Sequence, residues 1–227
     1  MRHAVVPYPD VALGVECAFP APAGSLSDRP HGSGRARRFA LGALAAALLA
    51  AGLWQLGHGA YIHAKAGLAQ LLLRHAWTRT LAGEREVKPW PWADTWPVAR
   101  LAVPARGVDL FVLAGANGRT IAFGPGHVFG TPLPGAAGNS AIGGHRDTHL
   151  AFLRDVVPGD EIVVERADGR LRRYRVDSGE VLDRRETRVL GNGGPTRLTL
   201  VTCYPFDALR AGGPLRYVVT ARAVDPD

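Results

Sequence analysis

From Val98 onward the chain is written in short runs of β-branched or alternating apolar residues, and this pattern constrains the fold more than any other feature. The runs are VARLAV, VDLFVLA, RTIAFG, EIVVERA, LRRYRVDSGEVL, RLTLVTC and LRYVVTARAV. Between them stand Gly107, Asn117-Gly118, Pro158-Gly159-Asp160, Asp168-Gly169 and Gly191–Pro195. Frequent short strands broken by turn residues predict an all-β antiparallel barrel or sandwich. Residues 161–176 read as a hairpin closed by Asp168-Gly169. The only helix expected in this region is short, around residues 148–156. No glycine-rich dinucleotide or phosphate motif and no internal repeat is present.

The N-terminal third is organised differently. Residues 7–35 are rich in Pro, Gly, Ala and Ser and are expected to be disordered. Arg35, Arg37 and Arg38 then precede the uncharged run of residues 39–62. A spanning helix needs about 20 mostly apolar residues, and Phe39–Trp54 supplies 16 without interruption. Trp54 and Tyr61 fit the interfacial aromatic belt, and positive charge ahead of the span places the N-terminus in the cytoplasm. A cleaved secretory signal is the rival reading, but residues 1–38 are long for the segment before its apolar core. Either reading exports the C-terminal domain.

Residues 60–82 lack proline and place Leu68, Leu71, Leu72 and His75 at helical spacing, which predicts a stalk or a helix packed on the domain. Residues 88–101, KPWPWADTWPVARL, cannot be helix interior. They read as an extended segment pressing tryptophan rings onto the domain. The resulting organisation is a disordered cytoplasmic N-terminus (1–38), a transmembrane anchor (39–62), a stalk and Trp/Pro-rich linker (63–97) and a C-terminal domain (98–227).

The formal charge of +7 is not a nucleic-acid signal. Residues 98–227 carry 17 arginines against 14 acids, thinly spread. The densest stretch, Arg172-Arg173-Tyr174-Arg175, alternates like the solvated face of a strand.

Two cysteines, Cys17 and Cys203, lie on opposite sides of the apolar span. Cys203 is therefore expected to be an unpaired thiol in an extracytoplasmic domain. It ends the run RLTLVTC, and Tyr204-Pro205 stops the strand directly after it, so the thiol opens into a loop. A buried core cysteine is the competing reading. His145, after Gly143-Gly144, also falls at a strand end and could activate a thiol or protonate a leaving amine. A zinc site using His145 and His149 is the alternative. However, HRDTH lacks the glutamate of a metalloprotease helix, and Gly143-Gly144 argues against a helix there. His127 reads as a loop residue. Arg216, in the last strand, could stabilise an oxyanion without titrating.

Taken together, IGGHRDTHLAFL, LTLVTCYPF and GPLRYVVTA resemble the sortase family over residues 98–224. The TLxTC strand is followed 13 residues later by an arginine. The segments AFGPGHVFGTPLPGAAGNSAIGGH and DVVPGDEIVVE are similar to its connecting segments. With KPWPWADTWPVARL ahead of the domain, the chain is most similar to the proteobacterial sortases of class GN. The resemblance implies a closed eight-stranded β-barrel with short helices. It further implies a cysteine transpeptidase in which Cys203 attacks an LPXTG-like C-terminal sorting signal of a secreted protein. His145 would protonate the leaving amine and Arg216 would hold the oxyanion or substrate backbone. Thr202 and Tyr204, flanking the nucleophile, would touch substrate. An amine acceptor would resolve the acyl-thioester, and no metal or cofactor is implied. Other readings are a hydrolase of the same chemistry and a non-catalytic envelope barrel.

Overall fold

The computed structural model of the chain describes residues 33–224 apart from Leu209 and Ala211. Most of the N-terminus expected to be disordered (1–38), with Cys17, lies outside this range, but residues 33–38 are already helical, the chain entering its long helix ahead of the apolar run. One long helix, α1 (Ser33–Leu81), is followed by eight strands: β1 (Pro97–Val103), β2 (Val108–Ala114), β3 (Gly126–His127), β4 (Asn139–Gly144), β5 (Glu161–Arg166), β6 (Leu171–Asp183), β7 (Arg197–Cys203) and β8 (Leu215–Ala223). They close into a barrel in the order β1-β2-β3-β4-β7-β8-β6-β5, with β5 returning to β1.

Two neighbouring pairs, β2/β3 and β4/β7, are parallel, so the barrel is mixed rather than antiparallel throughout. A parallel pair needs a long crossover, and between β4 and β7 that connection contains β5 and β6. Strand runs in a sequence reveal their inner faces but not which of them a crossover brings together. The run RTIAFG is a second departure, because Thr120–Ala122 form a 3-10 turn. The Asn117 side chain accepts the backbone N–H groups of Arg119 and Thr120 at 3.0 Å and so bends the chain before a strand can start. The expected hairpin is present, with Gly169 in the left-handed conformation and Arg166 N–H bonded to Arg170 O at 2.9 Å. The short helix near residue 150 is a 3-10 turn, Ala151–Arg154.

Alternate residues fill the barrel. Ala99, Leu101 and Val103 of β1, Ile162 and Val164 of β5, Tyr174 and Val176 of β6, Leu198 and Leu200 of β7, and Val219 and Ala221 of β8 form one buried cluster with Ile142. Leu150, Leu153 and Val156 belong to it as well.

The chain divides into two compact units after Trp54. In the first unit the helix is fully exposed from Gly34 onward. Among the described residues α1 is the one helix long and apolar enough to cross a membrane, with an 18-residue stretch of mean hydropathy 1.8. In the second unit its C-terminal turns pack on the barrel through Ala69, Leu73, Ala76, Trp77 and Thr80. This face is rotated from the expected one, since Leu68, Leu71 and His75 are exposed. The run Leu71-Leu72-Leu73 offers three rotations, and Trp77 selects among them. Its ring meets Phe111, and its Nε1 donates to Glu165 at 3.3 Å. The segment after the helix lies on the barrel as expected through Trp90, edge-on to Phe123 at 4.9 Å, whereas Trp92 is 82% exposed.

Leu73→Ala is expected to lower the free energy of unfolding by about 2–5 kcal/mol, while exposed Leu71→Ala changes it by less than about 0.5 kcal/mol. Denaturant titration of the two variants checks this rotation of the helix.

Candidate active site

Strand β7 places the thiol. It runs parallel to β4, with Gly143 opposite Val201 and Gly144 opposite Thr202. On its other side it runs antiparallel to β8, with Val201 opposite Val218 and Cys203 opposite Arg216. Strand β6 continues the row on the far side of β8, pairing Leu182 with Arg216. Residues directly opposite on neighbouring strands project from the same face. Cys203, Arg216 and Leu182 therefore emerge side by side on the outside of the barrel, with Val201 and Val218 one row below. His145 follows the Gly144–Thr202 couple immediately and so lies at the level of Cys203.

The thiol is free and half-buried, and His145 is exposed. Arg216 turns back to its own loop, where Nη1 donates to Gly213 O at 3.0 Å and Leu215 O at 2.8 Å. This leaves its remaining donors for the groove that it lines.

The groove has a volume of about 330 Å³ and is mostly apolar. Val201, Val218 and Gly143 form its floor. Ile121 and Val128 stand on one side, and Leu182, Val189 and Leu190 on the other, the last two carried by the β6/β7 connection. Asp183, Arg184, Glu186 and Arg216 add charge.

The loop carrying His145 is fastened from behind. Gly144 lets Leu150 close in, since a Cβ there would sit 2.9 Å from Leu150 Cγ. Leu150 N–H bonds His145 O at 3.0 Å, and the segment is a turn rather than the helix a zinc pair would use. Among the described residues no group of three or more His, Cys, Asp or Glu side chains could hold a metal ion. Burial pushes His149 below the usual histidine range, aided by the nearby His145 charge and opposed by a hydrogen bond with the Ile121 backbone.

Thr202 and Tyr204 are placed differently from the residues beside them. Thr202 is buried, and its hydroxyl donates to Gly144 O at 2.8 Å, tying β7 to β4 under the site. Tyr204 is half-buried, stacked on Tyr217 and edge-on to Phe206. His127 is not in a loop but in β3, where it is buried with Nε2 3.0 Å from Pro132 O.

Two polar side chains that shape the site escape sequence reasoning. Arg146, 7% exposed, donates from Nη2 to Ala208 O at 2.7 Å and Arg210 O at 2.8 Å, holding the β7/β8 connection against the His145 loop. Asn139 bonds main-chain oxygens of the β6/β7 connection. Arg146 lies next to a candidate histidine, but nothing in the sequence says that its partners lie 62 and 64 residues away.

An accessible thiol, an imidazole and a guanidinium at one level of a closed barrel supply the residue types that acyl transfer through cysteine requires. The sortase-domain family model matches residues 101–224, more than half of the chain, and the chain belongs to the sortase family. Sortase D of Bacillus subtilis (strain 168) is 25% identical over 125 residues, 55% of this chain and 62% of that protein. The chain thus spans less than two thirds of this relative's length. Sortase C-1 from Actinomyces oris superposes with a TM-score of 0.52 and 32% identity over 57% of this chain and 76% of that one. Sortase A from Listeria monocytogenes gives a TM-score of 0.50 and 26% identity over 57% and 88%.

Because His149 is depressed in the folded state, the folded protein resists its protonation. Its neutral form contributes no penalty above the unfolded value of about 6.5, and stability is lost as pH falls from there through the folded value. An NMR titration should place the His149 midpoint below 6.5, the ordinary value for the group, and His145→Gln should move it upward.

Proposed function

We propose that the chain is a membrane-anchored cysteine transpeptidase that cleaves an LPXTG-like sorting signal and passes the acyl group to an amine. The observation that carries this reading is the register that sets Cys203 opposite Arg216, with His145 at the same level just beyond β4. The Cys203 thiolate adds to the scissile Thr–Gly carbonyl. The oxyanion that forms lies beside the Arg216 guanidinium, which donates hydrogen bonds to it. Collapse breaks the C–N bond, His145 gives its proton to the departing amine, and an acyl-thioester remains on Sγ. An incoming amine attacks the thioester, its proton returns to His145, and the new amide leaves with the thiolate restored. The apolar floor and the Val189–Leu190 wall suit an extended peptide with an apolar side chain. Thr202 acts from beneath, keeping β4 and β7 in register.

The same reading places residues 1–38 in the cytoplasm, with Arg35, Arg37 and Arg38 at the inner face of the membrane, and the barrel outside. The substrate is then a secreted protein held near the same membrane by its own C-terminal signal.

Incubation of the full chain with an LPXTG-type peptide should accumulate a thioester detectable by intact-mass analysis, and Cys203→Ala should give none. His145→Ala and Arg216→Ala should each lower turnover by about 10²–10³-fold. Turnover that survives Cys203→Ala overturns the mechanism. Products obtained with and without an added amine separate transfer from hydrolysis. Activity unchanged by a chelator counts against the zinc reading built on His145 and His149.

A further inference from the structure

The Val189–Leu190 wall of the groove belongs to no sheet, yet it is held by a buried polar clamp at the opposite end of β4 from His145. Asn139, the first residue of β4, is 3% exposed. Its side-chain amide nitrogen donates to Val189 O at 2.8 Å and Gly191 O at 3.1 Å. Its carboxamide oxygen accepts from the Thr199 hydroxyl at 2.7 Å, which fixes the orientation of the amide. The contact is returned from the connection itself, where the Asn192 side-chain oxygen accepts the backbone N–H of Asn139 at 2.8 Å. Gly138 makes room for that oxygen, because a Cβ at Gly138 would sit 2.2 Å from it, and its φ of +98° suits glycine. Arg197 adds a bond from Nη2 to Gly193 O at 2.7 Å. The wall itself is one 3-10 turn, Arg188–Leu190. That turn alone supplies two bonds, Leu190 N–H to Thr187 O and Gly191 N–H to Arg188 O.

We propose that Asn139 is a specificity-determining residue of this enzyme. It acts through Val189 and Leu190, holding the β6/β7 connection as a preformed wall against which an apolar side chain of the substrate packs. Asn139 touches no reacting atom and is a positioning residue. Asn192 and Gly138 complete the clamp from the two sides. The inference rests on the sorting-peptide reading of the groove, and it assigns to one residue the selectivity that this reading leaves open. A buried amide with both hydrogens and its oxygen bonded has one rotamer and one position. Losing it frees the wall while leaving the Cys203–Arg216 register intact, since that register is held by β7 and β8.

The test uses the full chain in detergent, as Asn139→Ala and, in case that variant fails to fold, the exposed-side variant Asn192→Ala. Three readouts are compared with wild type. Hydrogen exchange at residues 184–195 should accelerate in both variants while the amides of β7 and β8 keep their protection. Alkylation of Cys203 by iodoacetamide should proceed within about twofold of the wild-type rate, which a collapse of the site would not allow. With a fluorogenic Leu-Pro-X-Thr-Gly peptide, KM should rise about tenfold at nearly unchanged kcat, the loss expected when one apolar contact is given up. Replacing the peptide leucine by alanine should penalise wild type several-fold more than either variant, as coupled partners do. Equal discrimination between the two peptides by wild type and variants overturns the proposal, as does a parallel fall in kcat and alkylation rate. If wild type turns over neither peptide, the sorting reading fails. Hydrogen exchange then decides the clamp alone, with unchanged protection of residues 184–195 sinking it.

Discussion

The site depends on one constraint, the double registration of β7 between a parallel neighbour and an antiparallel one. Pairing with β8 fixes Cys203 against Arg216, and pairing with β4 fixes the level at which His145 leaves the sheet. A slip by one residue on either side would turn the thiol toward the core or carry the guanidinium a row away. The buried rows Leu198–Leu200 and Val219–Ala221 oppose such a slip, because it would expose them. The hydrophobic core and the candidate site are thus specified by the same pairing. The Thr202–Gly144 bond fastens that pairing at its last couple, one residue before Cys203.

Around this rigid centre the walls are loops, and loops need their own anchorage. The β6/β7 connection, which lines the groove, and the β7/β8 connection, which follows Cys203, are both held from β4 or its immediate continuation, through side chains that bond main-chain oxygens. Asn139 fastens the β6/β7 connection from the start of β4, and Arg146 fastens the β7/β8 connection just beyond its end. A neutral amide and a buried guanidinium both satisfy carbonyls that no strand partner could reach. Strand β4 therefore serves as a frame for the two connections on either side of β7.

Much of this is legible in the sequence, and the parts that are not share a cause. Period-two alternation gives the inner faces of β1, β5, β6 and β7, and Asp168-Gly169 gives the hairpin, since these signals are local. Cys203 and His145 can be picked out as a thiol and an imidazole at strand ends, whereas Arg216, one of 17 arginines in residues 98–227, stands out only through the family pattern. The rotation of α1 is not legible because three consecutive leucines are equivalent to a periodicity argument, while the deciding contact, Trp77 to Phe111 and Glu165, is distant in sequence. The strand expected at RTIAFG fails because one side chain, Asn117, outcompetes β propensity by bonding the following amides. Thr202 looks like a substrate contact from its place beside Cys203. Alternation along β7 turns it inward, to bond Gly144 instead. Arg146 and Asn139 carry no signal, for their partners are carbonyls that any residue could supply.

The unequal lengths of β5 and β6 have a consequence for the proposed peptide substrate. The barrel closes through β5 and β1, but β5 covers β6 only over residues 171–175, and beyond Val176 the one strand neighbour of β6 among the described residues is β8. The margin left uncovered ends at Leu182 and Asp183, inside the groove, where a guest chain could add as a further strand. Pairing of that kind is indifferent to side chains, so discrimination falls to the Val189–Leu190 wall beside it.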